Sequence, residues 1–520
     1  MAKMYYILLL SFLSFTLCGA ARATDSPIPQ VKHSLNFSIN AEPLDSAVAF
    51  EDSKVAHAEY VPFFLLLHSF ASCISKFSSL ATRILVSNGL QDSWLRAFLF
   101  LFVFRYLRLV VHIIAYSHSK PKPVLENPTY TAKDVSVIIP TVEPRGAAWE
   151  ECLDRVLVNG PAQIFVVTVR EGNIREATRY CNALSSCIQV LSVPAPSKRE
   201  QVKRAVLEVK TPITVLCDDT VFWPATFIPH VLAPFEDPAV GIVGTCKRVR
   251  RAFGSFGMSD FWNLCGVFRL ERTNFDLAST NAVDGGVSCV SGRTCAVRSS
   301  ILKDESFLHA YCNEYIFAGR IGRAIFGGPI GPRNASDDKM LTCWCLKKGW
   351  KVFHQNCPEV RIETILGVKG GGSRFRGQCI RWARTSAYDN PKMIFEDGLW
   401  RKYPWTTYAV LATSIVNYAA IYDPVLVFTL YKALQSPVTN ELGGYRHPLA
   451  ILCFWILATK FVRPASHYWR HPRDLKYVPF IIMFGYYHSW IKFYALLTCW
   501  DISWGTRPGI DAAAKGPKAG

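Results

Sequence analysis

The chain has no long block of lysine and arginine, although basic residues outnumber acidic ones, 58 to 40, for a net charge of +18. A segment that gathers on nucleic acid concentrates its charge. The scattered surplus therefore speaks against such a partner and for phosphate groups and anionic lipid. A zinc pattern is also missing. Of 17 cysteines, Cys343 and Cys345 form only a C-x-C, and no second pair completes a metal spacing. Most of these cysteines fall in stretches assigned to the cytosol, where thiols stay reduced, so they read as small buried side chains. Internal repeats and low-complexity tracts are absent too.

Hydrophobic residues are abundant. They make up 50% of the 520 residues, and the mean hydropathy is positive. Both are high for a soluble chain of this size and point to membrane segments. The length exceeds one ordinary domain and can bury a sizeable core.

Residues 1–23 carry Lys3, an apolar run from Tyr5 to Cys18, and the small-x-small ending Ala21-Arg22-Ala23. The pattern fits a secretory signal peptide or an uncleaved anchor. Residues 24–60 are polar, and Asn36-Phe37-Ser38 accepts N-glycosylation if this segment is lumenal. Residues 61–116 read as N-terminal membrane helices. Val61 to Val86 either spans or lies in the interface, and Trp94 to Tyr116 is the better span. Arg105 and Arg108 share one face of that span, where arginine must face protein or snorkel. Lys120 and Lys122 place its exit in the cytosol.

Then the texture changes. Asp134–Pro140, Gln163–Val169, Cys187–Val193 and Pro212–Cys217 are buried-strand runs, with helical stretches at Trp149–Val158 and Lys198–Val209. This alternation predicts a parallel sheet with crossovers. Ligands of such a sheet sit beyond the carboxyl ends of the strands. That places chemistry near Thr141–Glu143, Arg170–Glu171 and Asp218–Thr220. Residues 373–404 read as interfacial helices and 405–500 as C-terminal transmembrane helices, at Thr406–Ala419, Tyr422–Leu434, Pro448–Phe461 and Tyr477–Leu497. Asp423 and Pro424 are taken as the junction of the first two. Residues 501–520 read as a disordered tail.

Four short motifs carry chemistry. Asp218-Asp219-Thr220 closes the fourth strand, where adjacent carboxylates suit a divalent cation and a diphosphate, or simply cap a turn. Asn334-Ala-Ser336-Asp337-Asp338 opens a helix. Its acids serve either as an N-terminal cap or as a general base whose pKa the second acid raises. Val287–Arg293 reads as a strand meeting a glycine turn. Gln378-x-x-Arg381-Trp382 puts an amide, a guanidinium and an indole on one helical face, a set suited either to a diphosphate beside a sugar or to a basic juxtamembrane helix lying on anionic lipid.

In this order the motifs resemble those of the family-2 processive glycosyltransferases, the group of hyaluronan, chitin and cellulose synthases. The chain is most similar to fungal hyaluronan-synthase-like polysaccharide synthases. The resemblance covers Asp134 to Asn390 and the flanking spans. It implies a GT-A-type α/β nucleotide-sugar-binding domain, residues 130–372, inserted between N-terminal and C-terminal transmembrane helices. It implies Asp338, with Asp337 beside it, as the catalytic base. Thr141, Glu143, Asp218 and Arg381 would bind the donor, and Asp219 and Asp218 would hold Mg2+ or Mn2+. Ser291, Gly292, Gln378 and Trp382 would meet the acceptor.

Three places depart from the pattern. Cys217 stands where the family has the first Asp of its D-x-D, Thr168-Val-Arg-Glu171 ends the second strand where the family usually has a pair of acids near the uracil base, and Arg293 stands where hyaluronan synthases have proline. The expected activity is inverting transfer from a nucleotide sugar, a UDP-sugar above others, to a growing polysaccharide. The expected setting is the plasma membrane, with the catalytic domain cytosolic and the lipid bilayer as a partner. The rival readings are single transfer to ceramide or dolichyl phosphate, and a degenerate membrane scaffold.

Overall fold

Val135–Pro140 is apolar at nearly every position, so it demands cover on both faces. That demand sets the architecture of the protein. A computed structural model describes residues 92–252, 257–368, 371–435 and 446–503. The readings for residues 1–91, including Asn36 and the Val61–Val86 segment, and for the tail after Ser503 lie outside the described residues.

The labelled elements run α1 (Ser93–His118), β1 (Val135–Pro140), α2 (Ala147–Val158), β2 (Gln163–Val169), α3 (Glu171–Leu184), β3 (Ile188–Val193), α4 (Lys198–Val206), β4 (Ile213–Cys217), β5 (Val221–Phe222), β6 (Val240–Thr245) and β7 (Lys247–Val249). They continue with α5 (Met258–Asp284), β8 (Thr294–Arg298), α6 (Asp337–Lys347), β9 (Lys351–Gln355), β10 (Ile362–Thr364), α7 (Gly371–Pro391), α8 (Pro404–Val416), α9 (Ala419–Ala433), α10 (Arg446–Ala458) and α11 (Val478–Leu497).

The main sheet has seven strands in the order β3-β2-β1-β4-β8-β6-β9. Its pairs are parallel except those of β8, which runs antiparallel to both β4 and β6. The sheet is thus mixed, where the alternation of elements predicted a parallel one. The reversal follows from the long helix α5, which carries the chain away before β8 returns. A small second sheet joins β5, β10 and β7.

Side chains alternate between the two faces along a strand, and two cores result. Val135, Val137 and Ile139 of β1 pack with Trp149 and Trp223, while Ile138 packs on the other face with Phe165, Leu216 and Leu341. The same alternation sends Cys217 into the first of these cores. Helix α3 carries few apolar residues and its sequence does not announce it. Asn173, Ala177 and Cys181, four apart, form its buried stripe.

The described residues fall into two compact units, one within 102–424 and 471–503, the other within 92–101 and 425–470. The smaller is helical, with Leu426, Leu430, Leu452 and Ile456 buried and Trp94 edge-on to Phe428 at 5.6 Å. Among the described residues, Ser93–His118 is the one helix long and apolar enough to cross a membrane alone. Helices α8 and α9 reach that length only as a pair bent by 88°.

The break between them falls at Asn417–Tyr418, not at Asp423–Pro424, which lie inside α9. Asp423 is committed elsewhere. It pairs with Arg105 of α1 and accepts from the Tyr486 hydroxyl at 2.9 Å. Arg108 donates to Thr413. Both arginines of α1 therefore face protein partners. Helix α10 is too short to cross, and α11, expected as the last span, is not apolar enough by the same test.

Candidate active site

Three segments meet at one ammonium. Lys198 heads α4 behind Ser197, whose side chain caps the helix. Its Nζ lies 2.8 Å from Asp218 Oδ1, 3.1 Å from Asp337 Oδ2 and 3.0 Å from the Gly292 carbonyl. Burial works to lower the Lys198 pKa, but Asp218 and Asp337 together hold it well above the usual lysine range. The ammonium stays charged and ties the strand-end acids to the second acid pair.

The ends of β1 and β4 are joined as well. Thr141 Oγ1 donates to Asp219 Oδ2 at 2.9 Å. Gln201 of α4 supports this loop by donating to the carbonyls of Thr141 and Val167. Asp219 is 7% exposed. Glu143 follows in the same loop, but its carboxylate is exposed and sits 3.7 Å from Arg145.

Asp338 is gripped by backbone donors. The Gly292 amide reaches Oδ2 at 3.0 Å and the Lys339 amide reaches Oδ1 at 2.8 Å. A Cβ on Gly292 would stand 3.0 Å from the Asp338 Cβ, so a larger residue here would crowd the Asp338 side chain. Burial, and then the charge of Asp337, raise the Asp338 pKa, while Lys198 and the two amides pull it down.

The segment Val287–Arg293, expected to contain a strand, is irregular up to β8 at Thr294. Its backbone groups find side chains instead. The Val290 amide donates to Thr342 Oγ1 at 2.9 Å, and Gly292 binds Asp338. Ser291 is buried, and its Oγ accepts from the Arg293 amide.

Helix α7 buries Phe375, Cys379 and Ala383 in one stripe. Gln378, Arg381 and Trp382 lie partly buried beside it. Carboxylates of both acid pairs, Asp338 and Asp337 ahead of Asp218, bear on Arg381 against its burial. Trp382 receives two guanidiniums, with Arg269 4.1 Å from the ring centroid and Arg293 5.9 Å.

The far end of α7 fixes the start of α6. Asp389 accepts from Ser336 Oγ at 2.6 Å and from Arg333 at 2.9 Å. Lys339 donates to Asn390. Ser336 therefore takes the N-cap position of α6 without capping it. Its backbone is left-handed at φ 66°, a conformation that costs a non-glycine residue about 1–2 kcal/mol, and its hydroxyl serves α7. Beneath lies a buried ionic network in which Arg199 and Arg333 share Glu314 Oε2 at 2.7 and 3.0 Å.

Thr141 thus meets Asp219, Asp218 and Asp337 meet at Lys198, Asp338 meets Gly292, and Trp382 lies under Arg293, while the Glu143 carboxylate is exposed and Gln378 lies partly buried on α7. Lys198, Arg199, Lys247 and Arg269 were not singled out in the sequence. A lysine heading a helix, and basic residues spaced along others, read as solvated charge.

The donor set also bears on metal binding. Cys217, where the resemblance has a first aspartate, is 1% exposed in the apolar core beside Cys152. Burial first, and then Cys152, push its thiol well up. No three His, Cys, Asp or Glu residues converge among the described residues. Asp218 and Asp219 remain as adjacent hard oxygen donors. Such a pair suits Mg2+, which proteins commonly hold with one or two carboxylates plus substrate phosphate.

The sequence profile of the Glycosyltransferase like family 2 matches residues 132–385, which hold both acid pairs, Lys198 and the Gln378-to-Trp382 motif. The Type 2 glycosyltransferase of Gibberella zeae is 36% identical over 422 residues, 81% of this chain and 77% of that one. This chain is a family-2 glycosyltransferase. The Type 2 glycosyltransferase of Zymoseptoria tritici is likewise 36% identical, over 81% of this chain and 85% of its own length.

Among solved structures, the mannosyltransferase PcManGT from Pyrobaculum calidifontis, in complex with GDP-Man and Mn2+, aligns with a TM-score of 0.46 at 16% identity. That alignment covers 76% of this chain and 97% of that one. As a family-2 transferase the protein uses a nucleotide sugar, and its mixed sheet is the GT-A-like α/β fold.

The orientation of Cys217 makes a prediction. Cys217→Asp places a carboxylate in an apolar core and should cost about 3–5 kcal/mol, the scale of an uncompensated buried charge. Denaturant unfolding of the purified protein measures it. Unchanged stability together with tighter Mn2+ binding would show that the side chain reaches the site after all.

Proposed function

We propose that the protein is a membrane-embedded inverting transferase. It passes the sugar of a UDP-sugar to the terminal hydroxyl of a growing cell-wall or extracellular polysaccharide. The observation that carries the reading is the Asp338 carboxylate, fixed by the Gly292 amide and facing the helix of Arg381 and Trp382. A carboxylate held in this way can take a proton from an acceptor hydroxyl as that oxygen attacks the anomeric carbon. The C–O bond to the diphosphate breaks as the new glycosidic bond forms, and the diphosphate leaves with the electron pair.

Arg381 stabilises the departing charge, supported by Lys198 behind the acids. Thr141 and Asp219 shape the donor loop. A divalent cation, Mg2+ or Mn2+, held by Asp218 and Asp219, would neutralise the diphosphate. Gln378, Ser291, Gly292 and Trp382 form the acceptor side, with the indole as a platform for a sugar ring.

The membrane setting is supported by α1 and by the apolar helices α8 to α11. Their exposed faces carry Leu411, Ile421, Phe428, Phe454 and Phe493. The catalytic domain lies on the cytosolic face, where nucleotide sugars are made, and the plasma membrane is the site of export.

The decisive assay incubates the purified protein with Mg2+ or Mn2+ and radiolabelled UDP-sugars, and sizes the product. A high-mass product from one or two donors is expected. One lipid-soluble product of fixed size would replace this reading by single transfer to a lipid.

Asp338→Asn should lower kcat by about 10²–10⁴-fold, the usual contribution of a general base, with donor affinity unchanged. Wild-type turnover in that variant would remove the base assignment. Because the Asp338 pKa is raised, the base is lost on acidification at a higher pH than for an ordinary carboxylate. Asp337→Asn removes the neighbouring charge that helps to raise it. The acid limb of the pH–rate profile should therefore move to lower pH. A limb that stays in place or moves upward would show that Asp337 does not tune the base.

A further inference from the structure

Two guanidiniums that stack on Trp382, and a buried ammonium that one of them repels, have no directly bonded counter-anion among the described residues. Lys247, at the start of β7, is 3% exposed. Among the described residues its ammonium has neither a hydrogen bond nor an ion pair. Burial, and then the charge of Arg293, lower its pKa to about 8 against the opposing pull of Cys289 and Asp338. The Arg293 and Arg269 guanidiniums also make no hydrogen bond or ion pair among the described residues, and both stand over the indole of Trp382. Burial lowers the pKa of all three arginines; Arg293 and Arg381 add to the lowering at Arg269, while Asp218 and Asp338 work against it at Arg293.

A guanidinium on an indole gains about 0.5–2 kcal/mol, whereas removing a charge from water costs several. Stacking therefore does not offset the burial of this cluster, and a buried lysine with no partner is among the costlier arrangements a protein can hold. The nearest carboxylates, Asp218 and Asp338, act on Arg293 only through space, and their direct contacts are made elsewhere. Asp218 and Asp337 meet Lys198, and Asp338 is held by two amides.

We propose that Lys247, Arg293 and Arg269 form an oxyanion subsite beside Trp382, and that the acceptor sugar chain carries a carboxylate or phosphate that binds there. The inference rests on the reading of Trp382 as the acceptor platform. On that reading Arg381 faces the acids and the donor diphosphate, while Arg269 and Arg293 stand over the indole, where the acceptor lies, and Lys247 lies within the field of Arg293. Arg293 follows Gly292 directly, so the same turn grips the base and offers a cation to the acceptor. A neutral acceptor would leave all three side chains without a direct anionic contact in the loaded enzyme.

The test uses the full-length protein and measures binding separately from turnover. Neutral oligosaccharides are compared with the same oligosaccharides oxidised at C6 to carboxylates, or phosphorylated at C6. Calorimetry gives their affinities and that of the UDP-sugar donor. The acidic forms should bind about tenfold or more tightly than the neutral ones, and the better of carboxylate and phosphate names the group.

Lys247→Met and Arg293→Leu should each erase that preference while leaving donor affinity within about twofold. Arg293→Lys should retain most of it. Should Lys247→Met fail to fold, the two Arg293 variants, at a partly exposed position, still decide. Equal binding of acidic and neutral acceptors by the wild type would overturn the proposal. So would variants that weaken donor and acceptor alike, because the cations would then serve the diphosphate. An acidic preference in a protein that makes no polymer would uphold the subsite and count only against the polysaccharide reading.

Discussion

The site depends on a single buried ion contact, the Lys198 ammonium between Asp218, Asp337 and the Gly292 carbonyl. Four carboxylates brought together from β4 and α6 would repel one another. The lysine offsets part of that repulsion and fixes the distance between the strand-end pair and the helix-start pair. Buried contacts of this kind add little net stability, since desolvation cancels much of the attraction. Their effect is geometric. Here the contact holds the donor loop, the turn at Gly292 and the first turn of α6 in one arrangement.

Much of the fold was legible because its central strands are buried on both faces and show as continuous apolar runs. β1 to β4 fall within a residue or two of where those runs lie. Helix α3 escaped notice because its buried positions include Asn173 and only small residues. The strand expected through Val287–Ser291 did not form because its polar backbone groups are satisfied by Thr342 and Asp338 across the site. Nothing local in the sequence reports a partner some fifty residues away. The antiparallel direction of β8 was hidden for the same reason, being set by how far α5 carries the chain.

The acids and the Gln378-to-Trp382 motif were legible because their chemistry is local, two adjacent carboxylates or one face of a helix. The basic residues were not. Lys198, Lys247 and Arg269 look like solvated charge in a chain of net +18, and only their burial separates them from the rest. Cys217 was ambiguous in the sequence. Strand alternation settles it, because Leu216 and Cys217 must face opposite sides of the sheet, and Cys217 takes the apolar one.

Helix α7 is pinned at both ends. Gly372 passes so close to Trp262 that a Cβ there would meet the indole at 2.3 Å. At the other end Asp389 holds Ser336 and Arg333. Seven residues separate Trp382 from Asp389, and seven residues return an α-helix to within about 20° of its starting direction. The indole and its anchor therefore share an angular phase. One residue added or removed between them would turn Trp382 by about 100° relative to the anchor, away from the acids. In this stretch the chain tolerates exchange of side chains more readily than any change in their number.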